Sequence, residues 1–190
     1  MGERKPASPK LRAIASGALL GVLVLIAWTQ PWFSVELAEG DPLQVGGDVA
    51  SPALSALALC ALALVGALAI AGRFFRVVLG ALQAVLGAVI VLVSVLAIAA
   101  PETAVAPAVT EATGLAGAEG LITALGATAW PFLATAAGVL LVVTGVGVVV
   151  TSSRWPTTGR RYEATRMEPV ETDASPAAAW DALSDGRDPT

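Results

Sequence analysis

The chain has 190 residues, 56% of them apolar and 14% charged, with a mean hydropathy of +0.76. These values lie outside the range of soluble globular domains and exclude an ordinary water-soluble fold. The net charge of −4 arises from 11 basic and 15 acidic residues spread very unevenly, and no nucleic-acid partner is expected.

Charged residues are absent from Ala13–Val35, Val49–Gly72, Val77–Pro101 and Leu121–Ser153. A helix rises about 1.5 Å per residue, so roughly 20 residues cross a hydrocarbon core of about 30 Å. Each gap is long enough. The predicted spans lie near 13–30, 51–72, 77–100 and 130–151. Residues 1–151 are therefore expected to form an all-α membrane domain, a four-transmembrane-helix bundle in a lipid bilayer. Membrane β-strands would instead need segments of about ten residues alternating in polarity; "ALALCALAL" (56–64) alternates only small against large.

The first span follows Arg4, Lys5, Lys10 and Arg12. A cleaved secretory signal is the rival reading of this region. It is disfavoured because no A-x-A site follows and Gln30-Pro31-Trp32 reads as an interfacial exit. Beyond it, "WFSVEL" and "PLQVGG" are short extended runs separated by "AEGD", which predicts a short extracytoplasmic β-hairpin resting on the helix ends. Ser51-Pro52 reads as an N-cap followed by proline at the first position of span two.

In "AIAGRFFRVVLG" (69–80) Arg73 and Arg76 interrupt some fifty apolar residues. At membrane depth each would cost about 2.5–3.5 kcal/mol. A tight turn between spans two and three places both at the interface, with Gly72 relaxing the backbone. In the third connection, 101–128, Pro107 and several glycines suggest a loop. Leu121, Ile122 and Leu125 nevertheless have helical spacing, so an interfacial helix and an irregular loop are both open. Pro131 fits the first turn of span four.

With four crossings, all 11 basic residues fall on one side. The other two loops carry Glu36, Glu39, Asp41, Asp48, Glu102, Glu111 and Glu119 and no lysine or arginine. The positive-inside rule then predicts cytoplasmic N- and C-termini in the cell (inner) membrane. Trp28, Trp32 and Phe33 at the outer end of span one, Trp130 and Phe132 at the start of span four, and Trp155 beyond its end agree with interfacial aromatic belts.

Residues 152–190 form a polar tail, expected to be cytoplasmic and largely disordered. Within it, "SSRWPTTGRRYEA" sets Trp155, Arg160, Arg161 and Tyr162 just below the membrane, suited to anionic headgroups. "SPAAAWDALSDG" puts Ala177, Trp180 and Leu183 on one face of a short helix, a candidate contact for a cytoplasmic protein partner.

Signals for catalysis are missing. Histidine is absent and Cys60 is the lone cysteine, mid-span and without a partner. No phosphate-binding glycine motif or nucleophile elbow occurs. No cofactor or metal is expected, the acidic loop residues Glu36, Glu39 and Asp41 are read as solvated charge, and the chain is read as a non-enzyme. Gln83 is the strongest polar candidate within a span, read as an interhelical hydrogen bond. Gly17 and Gly21 make a G-x-x-x-G pair, and Gly80, Ala84, Gly87 and Ala88 line one side of span three. Gly138 and Gly145 share a face of span four. These small residues suit close helix packing within the bundle or, alternatively, a homo-oligomer face.

Several strings in sequence, "PWFSVEL", "SPALSALALCALALVGALAIAG" followed by Arg73 and Arg76, "RWPTTGRRYE" and the terminal "AWDALSDGRDPT", resemble the tryptophan-operon-associated membrane protein family of actinobacteria. Those are small four-span proteins encoded among tryptophan biosynthesis genes. The resemblance implies an association with tryptophan biosynthesis and brings no catalytic residues with it. Two expectations follow: an accessory protein that binds a partner, or a transporter or exporter of tryptophan or a related aromatic metabolite.

Overall fold

The computed structural model describes residues 9–38, 41–115 and 117–152. The chain runs α1 (Pro9–Trp28), β1 (Pro31–Leu37), β2 (Leu43–Gly46), α2 (Gly47–Ala50), α3 (Ala53–Ile70), α4 (Arg73–Ala99) and α5 (Pro101–Thr113). A 3-10 turn (Ala118–Leu121), β3 (Ile122–Ala127) and α6 (Trp130–Thr151) follow.

Helices α1, α3, α4 and α6 are long and apolar enough to cross a membrane. Helix α1 packs on α3 and α6, and α4 packs on α3 and α6, closing an up-and-down bundle in which every neighbour is antiparallel. Only 28–33% of each span is buried inside the protein, so most of each helix surface is left for lipid. Leu59, Leu82, Val85, Leu140 and Val143 are on that outer surface, as is Cys60. The inner surface is set by a spacing of alternating three and four residues. In α4 it selects Arg76, Gly80, Gln83, Gly87, Ile90, Ser94 and Ala97; in α6 it selects Pro131, Ala134, Gly138, Leu141, Gly145 and Val148. That spacing is the heptad pattern, which keeps one seam facing a partner helix over several turns.

At one end of the bundle, the sheet end, the predicted hairpin of β1 and β2 is present and gains a third strand. The sheet order is β2-β1-β3, with both pairings antiparallel. Phe33 pairs with Val45 on one side and Ala127 on the other, and Val35 with Leu43 and Leu125. The connection left open between an interfacial helix and an irregular loop is part helix and part strand. Residues 101–113 form α5, with Pro107 on its exposed side and Val105 and Val109 buried. Leu121 closes the 3-10 turn, and Ile122 and Leu125 belong to β3. Pairing with β1 supplies the ladder that a two-stranded ribbon lacks. Ala100, at φ −129°, lets Pro101 end α4 and begin α5.

Trp32 and Phe33 mark the end of the first span as expected, but not as interfacial anchors. Both are fully buried, in one core with Val35, Val45, Val105, Val109, Ala27 and Ala97. A register irregularity between Pro31 and Phe33 removes strict alternation there, so neighbouring side chains are both enclosed. The Trp32 indole Nε1–H donates a 2.7 Å hydrogen bond to the Ala27 carbonyl at the end of α1.

Two further expectations need correction. Pro52, not Ser51, holds the N-cap position of α3, and no side chain caps it; the Ser51 amide instead bonds Gly47 O at 2.9 Å. The turn between α3 and α4 is only Ala71-Gly72, and both arginines lie in the first turn of α4. Gly72 has φ −70° and ψ 174°, an extended conformation open to any residue.

Candidate functional site

Two places in the described residues concentrate polar or special backbone chemistry within an otherwise apolar bundle: the centre, where α1, α3, α4 and α6 converge, and the α3–α4 corner.

The centre is built on glycine. A Cβ on Gly87 would fall 2.8 Å from both the Gly138 carbonyl oxygen and the Val142 nitrogen, and one on Gly145 would meet Ala84 N at 2.6 Å and Gly80 O at 2.7 Å. Gly80 is closed off in turn by Gly145 O and Val148. Backbone thus lies directly on backbone along the α4–α6 seam, and van der Waals contact takes the place of side-chain interdigitation. On α1, Gly17 faces Val65 and Gly21 faces Leu62 of α3. The six glycines singled out in the sequence for helix packing therefore all lie against helices of the same chain.

This close approach brings Gln83 to the axis, where it is 2% exposed. Its amide Nε2 donates a 2.9 Å hydrogen bond to Thr144 Oγ1, and the Thr144 hydroxyl donates to Leu141 O at 3.0 Å. A Cβ on Gly17 would lie 3.5 Å from the same amide nitrogen, so α1 covers the pair. Toward the sheet end Val24, Ala58, Ile90 and Leu141, all 0% exposed, fill the interior. Gln83 is buried, whereas Thr144 is half-buried. Beyond this layer Ser94 is fully buried, and its hydroxyl has no hydrogen-bond partner among the described residues.

The α3–α4 corner is built on cations that reach the end of α3. Lys10 Nζ donates a 2.7 Å hydrogen bond to Ala69 O, and Arg76 Nε donates to Ala71 O at 3.0 Å. Helix α3 has no basic residue in its last turn, so α1 and α4 supply the positive charge that its carbonyl end favours. Arg76 is 3% exposed. It is part of the fold rather than a snorkelling side chain. Periodicity alone gave no sign of the Lys10 contact, which spans 59 residues.

Of the remaining candidates, Trp155, Arg160, Arg161, Tyr162, Trp180 and Leu183 lie outside the described residues. Glu36 and Asp41 are exposed, and no group of three or more potential metal ligands occurs among the described residues.

Four apolar helices closed on a glycine seam, with most of their surface turned outward, define a multi-pass integral membrane protein. A family model described as tryptophan-associated transmembrane protein matches residues 14–190, and the chain belongs to that family. No curated protein and no solved structure matches it.

Proposed function

We propose that this is a non-enzymatic accessory protein of the cell membrane that binds a cytoplasmic protein partner linked to tryptophan biosynthesis, with residues 152–190 as the contact surface. The single observation carrying this reading is the filled interior. Val24, Ala58, Ile90 and Leu141 are each 0% exposed, and the central polar pair, Gln83 and Thr144, is committed to a hydrogen bond between helices. A bundle packed in this way offers its chemistry at its ends. Both termini are assigned to the cytoplasm because all 11 basic residues fall on their side of the membrane. Trp155, Arg160, Arg161 and Tyr162 then sit next to the leaflet, and Trp180 and Leu183 form the outlying apolar contact.

Photo-crosslinking in cells from positions 155 and 180 tests the proposal. One specific partner is expected, and its co-purification with the protein is lost when residues 153–190 are deleted while the bundle still reaches the membrane. Absence of any specific adduct, or co-purification unaffected by the deletion, contradicts it. Transport of an aromatic metabolite is the competing reading. It requires the apolar layer above Gln83 to part, and tryptophan flux into proteoliposomes above that of empty vesicles would establish it over the accessory role.

A further inference from the structure

We propose that the α3–α4 corner is a binding site for the phosphodiester of an anionic phospholipid, held by Arg73, with Arg12 on the same end of the bundle adding to the positive charge around it. Four basic side chains, Lys10, Arg12, Arg73 and Arg76, belong to this end of the bundle, and the hydrogen bonds of Lys10 to Ala69 O and Arg76 to Ala71 O fix the start of α1 and the first turn of α4 around the end of α3. Those two cations hold the corner together. Arg12 and Arg73 are exposed.

Among the described residues the charge at this end is of one sign. Glu36, Asp41, Asp48, Glu102 and Glu111, the carboxylates among the described side chains, all belong to the elements and loops of the sheet end. An anion near Arg73 must therefore come from outside the described residues.

Depth in the membrane selects which anion. Arg73 is flanked by Ile70, Phe74 and Phe75, exposed by 90%, 74% and 62%, with the two phenyl rings in edge-to-face contact at 5.7 Å. Three large apolar side chains projecting from one corner belong in acyl chains or at the interface, not in water. Helix α4 has 27 residues, about 40 Å of rise against a hydrocarbon core of about 30 Å. Its first turn consequently reaches the headgroup layer. At that level lipid phosphates are the abundant anion, and a guanidinium binds them through paired N–H donors. Phosphatidylglycerol adds net negative charge that phosphatidylcholine lacks.

The test uses the full chain in nanodiscs containing equal parts of the two lipids, followed by native mass spectrometry of the lipid retained. Enrichment of phosphatidylglycerol is expected, falling about five-fold for each cation removed in R12Q and R73Q. Equal retention of both lipids by the unaltered protein overturns the proposal, as does undiminished enrichment in the double variant. Inorganic phosphate added at millimolar concentration should not displace the lipid; displacement assigns the site to a soluble phosphate instead. A separate measurement does not depend on the arginine variants folding. Phe74→Trp should give indole fluorescence quenched by brominated acyl chains, whereas an unquenched, water-exposed signal removes the depth argument.

Discussion

Gly87 of α4 and Gly138 of α6 meet so closely that a Cβ on Gly87 would lie 2.8 Å from the Gly138 carbonyl oxygen. No flexible side chain there can yield to relieve an added methyl group; only the helix axes can move. Gly87→Ala and Gly145→Ala are therefore expected to destabilise the bundle by about 1–3 kcal/mol each, the usual range for overpacking. Gly66 on the outer face of α3 has nothing within 4 Å. Gly66→Ala should be neutral or stabilising by up to about 1 kcal/mol through helix propensity. Unfolding in mixed detergent micelles measures all three, and equal effects at positions 66 and 87 would contradict the seam.

The hydrogen bond of Gln83 to Thr144 lies between the same two helices. Such bonds contribute about 0.6 kcal/mol on average in membrane bundles, with a maximum near 1.7. A double-mutant cycle of Gln83→Leu and Thr144→Val should return a coupling energy within that range. A coupling near zero would mean that the two side chains do not interact in the folded protein.

The sheet end depends on Trp32. Its indole N–H is bonded to Ala27 O at 2.7 Å within a fully buried site. Trp32→Phe keeps an aromatic ring but removes the indole donor, leaving the Ala27 carbonyl with only the 3.3 Å bond from the Gln30 amide, at a cost of about 0.5–1.5 kcal/mol. The loss should appear as faster hydrogen exchange in β1 and β3, with the bundle helices little affected. Uniform exchange changes throughout the chain would argue that the sheet is not a separate packing layer.

The spans were readable because a charge-free stretch of sufficient length leaves few alternatives in lipid, and α6 occupies the predicted residues 130–151. The small-residue faces of α4 and α6 were also legible, at Gly80 and Gly87 and at Gly138 and Gly145, but not which helices they pack against. Strand β3 was not. "ITALGA" carries apolar residues at positions 122 and 125 that fit a helix turn as well as a strand, and its partner β1 lies nearly ninety residues earlier. Long-range pairing of this kind overrides local pattern. Trp32 and Phe33 were misplaced for a similar reason. Position beside a span suggests an interfacial aromatic, whereas burial requires knowing that α5 and the sheet close over it. The Lys10–Ala69 contact is likewise a product of tertiary structure alone.

The most direct measurement of the membrane topology is labelling of single cysteines in intact cells with a membrane-impermeant maleimide, on a Cys60→Ser background. Glu36→Cys on β1 and Arg73→Cys at the start of α4 probe opposite ends of the bundle. The account predicts that position 36 is modified from outside and position 73 only after the membrane is permeabilised. Modification of position 73 in intact cells would contradict it.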